Sequence, residues 1–282
     1  MLLLFSEMKI VSYNVNGIRS AISKGLLDWL KKTDADIVCL QEIKAMPEQL
    51  DKEIHDKLHD FTYWYPAQKK GYSGVAIFSK EKPDHVEYGC GIKKYDGEGR
   101  VIRADFGNLS VMSVYFPSGT MGDVRQEFKY EFLDDFQNYI DKLKKKHPNL
   151  IICGDYNICH KPIDIHNPVA NANITGFLPE EREWLDKFFK GGFVDSFRHF
   201  NKEPHNYTWW SFRANSRSKN LGWRIDYQAV SAALEKRLKR ALILPEARHS
   251  DHCPTMLEID IYQTNSGFRK LVVSQAEPLG SM

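Results

Sequence analysis

Net charge is nearly absent: 39 Lys and Arg stand against 37 Asp and Glu, a formal +2 over 282 residues. That excludes a protein that coats nucleic acid through bulk charge, so contact with a polyanion would need a locally basic face. Cysteine is sparse. Cys39, Cys90, Cys153, Cys159 and Cys253 are odd in number and include no Cys-x-x-Cys pair, which reads as reduced thiols in a cytosolic protein, not a disulfide framework or zinc site. No run is long and apolar enough to span a membrane. The opening Met1–Phe5 is apolar but has no basic leader, and Ser6 and Glu7 interrupt it too soon for a signal peptide. Met8 offers an alternative start, with 1–7 as an N-terminal extension. Short-period repeats, low-complexity segments and linker-like stretches are also missing.

What is there is a 42% apolar, 12% aromatic chain, long enough for one large α/β domain with a substantial core. Short apolar runs predict strands over Lys9–Tyr13, Ile37–Leu40, Gly74–Phe78, Val101–Phe106, Leu109–Phe116, Leu150–Cys153, Ile225–Val230 and Thr255–Ile261. Helical spacing appears around Leu26–Leu30, from Pro47 through Leu50, Ile54 and Leu58, over Val124–Lys145, and from Pro179 through Phe188. Lys144–Lys146 reads as the solvated end of its helix. Periodicity is lost after Tyr262. The pattern is α/β, with strands of sandwich-core type rather than strict βαβ repeats.

Five of these strands sit against polar groups. The first leads into Asn14 and Asn16, the second into Gln41 and Glu42, the run ending at Cys153 into Gly154, Asp155 and Asn157; Asp226 lies at the head of another, and Asp251–His252 precede the last. Asn, Asp and Gly follow strands as turn formers, and that explains any one ending. Glu42 is no turn former. Taken together, the five endings predict an acidic, amide-rich pocket with a histidine on one rim, whose hard oxygen donors suit Mg²⁺.

Ser12-Tyr-Asn-Val-Asn-Gly-Ile-Arg19, Leu40-Gln-Glu-Ile-Lys44, Gly71-Tyr-Ser-Gly74, Gly99-Arg100, Cys153-Gly-Asp-Tyr-Asn157, Asn220-Leu-Gly-Trp-Arg-Ile-Asp226 and Ser250-Asp-His-Cys-Pro254 occur in this order. Through them the chain resembles the exonuclease III family of abasic (AP) endonucleases, within the endonuclease/exonuclease/phosphatase superfamily, from about Met8 to Ile261. The resemblance implies a DNase I-like four-layer α/β sandwich, two packed mixed sheets flanked by helices, as one catalytic domain over 8–261 with a tail over 262–282. It implies a DNA-repair nuclease acting in base excision repair. Such an enzyme uses Mg²⁺, or Mn²⁺ in its place, to cut the phosphodiester 5′ to abasic sites in duplex DNA and leave a 3′-hydroxyl. Exonuclease (3′→5′) and 3′-phosphodiesterase action would use the same site. The partner expected is duplex DNA with abasic or blocked 3′ ends, bound by a monomer, in the cytoplasm at a bacterial nucleoid or in a eukaryotic nucleus, and with no membrane. The competing readings are a nonspecific DNase, a phospholipid-directed phosphodiesterase or phosphatase of the same superfamily, and a noncatalytic DNA-binding protein. A noncatalytic relative would be expected to lose at least one of Glu42, Asp155, Asn157, Asp226 or His252, and all are present.

By the same resemblance Glu42 is a metal ligand, with Asn14, Asp155, Asn157, Asp251 and His252 as further candidates. Asp155 aligns or deprotonates the attacking water and Asn157 holds it. Asp226 fixes the His252 tautomer and favours its charged form, and Tyr115 donates to the phosphate or assists it as phenolate. Trp209, Trp223 and Ile225 line a small apolar sugar pocket, which accepts a flipped baseless nucleotide. Tyr72 and Asn171 contact the DNA backbone. Arg213, Arg217, Lys219 and Arg224, with Lys69 and Lys70, form a basic DNA-facing rim. Ser118 stands where relatives carry Asn or Gln and receives no catalytic role. Met121 stands where some carry an arginine.

Overall fold

The computed structural model describes residues 4–55 and 57–263 of the chain. Twelve strands are β1 (Leu4–Asn14), β2 (Ile37–Gln41), β3 (Phe61–Tyr65), β4 (Val75–Ser79), β5 (His85–Tyr88), β6 (Val101–Phe106), β7 (Leu109–Tyr115), β8 (Leu150–Asp155), β9 (Phe193–Asp195), β10 (Asp226–Ser231), β11 (Leu238–Ile243) and β12 (Thr255–Gln263). The α-helices are α1 (Ile18–Ser23), α2 (Leu26–Thr33), α3 (Lys52–His55), α4 (Lys93–Asp96), α5 (Asp123–Leu143), α6 (Pro179–Lys190) and α7 (Ser196–Phe200).

The strands form two six-stranded sheets, ordered β11-β12-β1-β2-β4-β3 and β5-β6-β7-β8-β10-β9. Each is mixed, with one parallel pair near its centre: β1 beside β2, and β7 beside β8. Residues of alternating parity on the central strands divide the core. Ile10, Ile37, Cys39, Ile77, Val111, Ile151 and Cys153 pack between the sheets. Val11, Tyr13, Val38 and Leu40 face the other way, onto α1 and α2, while Met112, Val114, Leu150 and Ile152 meet α5 and α6. The result is the expected four-layer sandwich of helices, sheet, sheet and helices.

Where the sheets approach the functional rim, the seam between them turns polar. The Gln41 amide donates to Ser113 Oγ at 2.9 Å, and Ser113 Oγ donates to the Leu40 carbonyl at 2.9 Å. These buried bonds cross from one sheet to the other and hold the end of β2 against the end of β7. At the same end Gly154 lets β8 lie close to β7, since a Cβ there would stand 1.9 Å from the Val114 carbonyl oxygen.

Two expectations change. The run from Pro47 is not one helix: a 3₁₀ turn at Pro47–Gln49 is followed by the four-residue α3, because Leu50 takes extended dihedrals between them. The β1–β12 ladder also passes the bounds 8 and 261, pairing Leu4 with Gln263. Residues 264–282 of the expected tail lie outside the described residues. Among the described residues, no helix is long and apolar enough to cross a membrane.

Candidate functional site

The parallel pairs run in the same sense toward one rim, so the C-terminal ends of β1, β2, β7 and β8 meet there. Antiparallel β10 starts at this rim, with Asp226 paired to Asp155, and β12 starts there three residues after His252. Both local turns at the acidic ends use left-handed backbone: Glu42 has φ 49° and Asn157 φ 52°. That conformation is uncommon for a glutamate, and it turns the Glu42 side chain back toward the other strand ends.

One amide joins the two sheets. Asn14, fully buried, donates from Nδ2 to Glu42 Oε1 and to Asp155 Oδ2, both at 2.9 Å, while its Oδ1 accepts the Asn16 N–H. Asn14 therefore orients two carboxylates. Asp155 Oδ1 accepts the Asn157 N–H at 2.8 Å, and the Asn157 amide donates to the Phe116 carbonyl and to Asp155. His252 Nδ1 is 2.9 Å from Asp226 Oδ2, and its Nε2 faces Asp155 Oδ2 at 3.9 Å. Asp251 is held by Asn16 Nδ2, Trp209 Nε1 and Ser250 Oγ.

Burial and charge set the protonation states. Burial alone would lower the His252 pKa, but the Asp226, Asp155 and Asp251 carboxylates outweigh it and push it up to about 10. Burial raises the Asp155 carboxyl, and the nearby Asp226 and Glu42 carboxylates add to the rise. Glu42 lies below its ordinary value because Lys44, 2.7 Å away, and the Asn14 amide overcome its burial. Tyr115 is raised well above 10, by burial first and then by Glu42 and Asp155.

Glu42, Asp155 and His252 each offer a ligand atom within 4.8 Å of the others. Four carboxylates (Glu42, Asp155, Asp226 and Asp251) converge here against the cations of Lys44 and His252. A surplus of hard oxygen donors of this kind fits a bound cation.

Glu42, Asp155, Asn157, Asp251 and His252 line a cleft of about 390 Å³ together with Tyr115, Ser118, Thr120, Ile174, Thr175, Gly176, Trp209, Trp223 and Ile225. Trp209 and Trp223 exchange two backbone hydrogen bonds, and their rings meet edge to face at 5.9 Å. Gly176, at φ 93°, brings the opposite wall against the Trp223 ring, where a Cβ would be 2.8 Å away.

The expected DNA contacts divide. Arg213, Lys219, Lys69 and Lys70 are exposed. Tyr72 accepts hydrogen bonds from Arg100 and Arg125, which leaves its own proton to donate outward. Asn171 donates to the His166 and Asn167 carbonyls in a surface turn. Arg224 does not belong to the rim. It is 1% exposed and bound to Asp164 and Asp195, so its charge is consumed inside the protein. Arg217 is also turned inward, onto main-chain carbonyls.

The structure adds groups that sequence reasoning passed over. Lys44 stands two residues past Glu42, and both have positive φ. Thr208 Oγ1 accepts the N–H groups of Ile225 and Asp226. Beneath the cleft, fully buried Lys129 donates to Glu181 and to the Asn157 carbonyl.

Residues 11–252 match the profile of the Endonuclease/Exonuclease/phosphatase family. The chain is 45% identical over 256 residues to an exodeoxyribonuclease of Bacillus subtilis (strain 168), covering 90% of this chain and all of that one. It is 39% identical over 263 residues to a DNA-(apurinic or apyrimidinic site) endonuclease of Dictyostelium discoideum, covering 91% of this chain and 72% of that one. Its fold is similar to the 3′ phosphatase NExo from Neisseria bound to a product DNA hairpin. There the TM-score is 0.83 at 28% identity, covering 90% of this chain and 99% of that one.

Proposed function

Since the chain belongs to the endonuclease/exonuclease/phosphatase family, we propose that it is a DNA-repair nuclease that hydrolyses the phosphodiester 5′ to abasic sites in duplex DNA. The observation that carries this reading is the shared cleft. The Glu42–Asp155–His252 cluster, half-buried at Glu42 and buried at the other two, opens directly onto an apolar slot walled by Trp209, Trp223 and Ile225. A flipped baseless sugar suits such a slot, and extrusion costs least where no base is stacked or paired.

Glu42 and Asp155, oriented by Asn14, would hold a divalent cation, and their oxygen donors favour Mg²⁺. When bound, that ion offsets the charge developing on the phosphoryl oxygens. The side chains supply the rest. Asp155, aligned by Asn14 and the Asn157 N–H, takes a proton from the attacking water. Both N–H bonds of the Asn157 amide are used, so its oxygen is left to accept from that water. His252, held by Asp226, donates from Nε2 to a non-bridging oxygen, and Tyr115 donates at the same phosphate. The P–O3′ bond breaks as the water oxygen joins phosphorus, and the departing 3′ oxygen takes up a proton from solvent to become the 3′-hydroxyl.

One scissile phosphate site would also serve 3′ ends, a reading favoured by the exodeoxyribonuclease and 3′ phosphatase among the similar proteins. The test is a denaturing gel of two duplexes, one with a tetrahydrofuran abasic analogue and one undamaged, with Mg²⁺ or EDTA. Metal-dependent cutting beside the analogue supports the reading. Trimming of 3′ ends alone moves the protein to end processing, and no cutting of either duplex removes it from DNA repair.

A further inference from the structure

The connection between β11 and β12, residues 244–254, carries Ser250, Asp251 and His252 without any helix or named strand of its own. An irregular loop leaves main-chain carbonyls to be satisfied. Arg217 collects four of them. Its Nη2 donates to the Ala247 and Pro245 carbonyls at 2.6 and 2.9 Å, and its Nη1 to those of Ser250 at 3.0 Å and, more weakly, His252 at 3.5 Å. The guanidinium lies 4.7 Å from the centroid of the Trp210 ring, and the main-chain N–H of Trp210 donates to the Asp251 carbonyl at 3.1 Å. These acceptors are all neutral oxygens of one loop. They need the planar fork of a guanidinium, which an ammonium cannot reproduce.

We propose that Arg217 is a positioning residue that sets the loop bearing Asp251 and His252, and not a contact to DNA phosphate. The inference rests on the reading of these two side chains as part of the nuclease site. A displacement of about 1 Å at a reacting group costs roughly 100-fold in rate, so the loop's anchor controls turnover without touching substrate.

The test compares wild type, Arg217→Met and Arg217→Lys by amide hydrogen exchange, cleavage of the tetrahydrofuran duplex, and DNA affinity in EDTA over a range of salt. Both variants should lose protection in 244–254 while α5 keeps its own. Their kcat should fall roughly 100-fold with KM, affinity and salt slope unchanged, and Lys should give no rescue. Unchanged protection in 244–254 would overturn the proposal, as would loss of protection throughout the chain in both variants. So would weaker DNA affinity with a salt slope reduced by about one and restored by Lys, the signature of a phosphate contact. Exchange needs no turnover. It decides the role of Arg217 even if wild type cuts no abasic duplex, an outcome that would defeat only the nuclease reading.

Discussion

Arg224→Met should destabilise the fold by about 3–5 kcal/mol at neutral pH, the range for removing one partner from a buried ion pair. The guanidinium is 1% exposed and makes three short contacts: Nε to Asp164 Oδ1 at 2.7 Å, and a fork onto Asp195 at 2.7 and 3.2 Å. Asp164 would keep Arg198, which reaches the same oxygen at 2.7 Å. Asp195, the N-cap of α7, would lose its forked partner, so most of the cost falls there. In thermal melts this is a drop on the order of 10 °C. The network also predicts acid sensitivity. Despite burial, Arg224 and Arg198 hold the Asp164 carboxyl at about 2 instead of 3.8. A depressed carboxyl stabilises above its unfolded pKa, so this contribution, about 2 kcal/mol, is full above pH 4 and is lost as pH falls through about 2. Urea unfolding of wild type and variant at several pH values should show their gap widest near neutrality. A variant within about 0.5 kcal/mol of wild type at pH 7 would refute the reasoning, more so if its DNA affinity fell, since that would return Arg224 to a DNA-facing role.

Asp226→Asn removes the carboxylate that keeps His252 charged, and single-turnover cleavage should slow by roughly 10²–10⁴-fold with DNA affinity retained. Gly154→Ala would place a Cβ 1.9 Å from the Val114 oxygen; calorimetry should show a loss of several kcal/mol (about 2 or more), and a wild-type melt would mean that β7 and β8 yield easily. Trp223→Ala widens the slot, so the ratio of abasic to undamaged cutting should fall, and an unchanged ratio would place discrimination elsewhere. EDTA should abolish cutting and added Mg²⁺ restore it, while cutting that persists in EDTA would remove the cation from the reaction.

The central strands were legible because burial on both faces makes them continuous apolar runs. The four strands that the sequence reading left out, β3, β5, β9 and β11, are the four sheet edges. Edge strands are covered on one side and half solvated, so polar residues break them up: Thr62 in β3, His85 and Glu87 in β5, and Lys239 and Arg240 in β11. The site was legible at the level of strand ends, since Asn14, Glu42, Asp155, Asp226 and His252 each adjoin a predicted strand and meet on one rim. The arginines were not. Charge in a sequence gives no direction, and Arg213 and Lys219 face solvent while Arg217 and Arg224, a few residues away, point inward to carbonyls and carboxylates. Lys44 was hidden for a related reason, because only the left-handed turns at Glu42 and Lys44 bring their side chains together.

The most direct measurement is single-turnover cleavage of the tetrahydrofuran duplex by wild type, Glu42→Gln and His252→Ala, with product ends mapped. Wild type should cut 5′ to the lesion and leave a 3′-hydroxyl. Each variant should be slower by roughly 10²–10⁴-fold while binding the duplex as wild type does. Cleavage by both variants at the wild-type rate, or a wild type that leaves the lesion strand intact, would contradict the assignment of this cleft as the nuclease site.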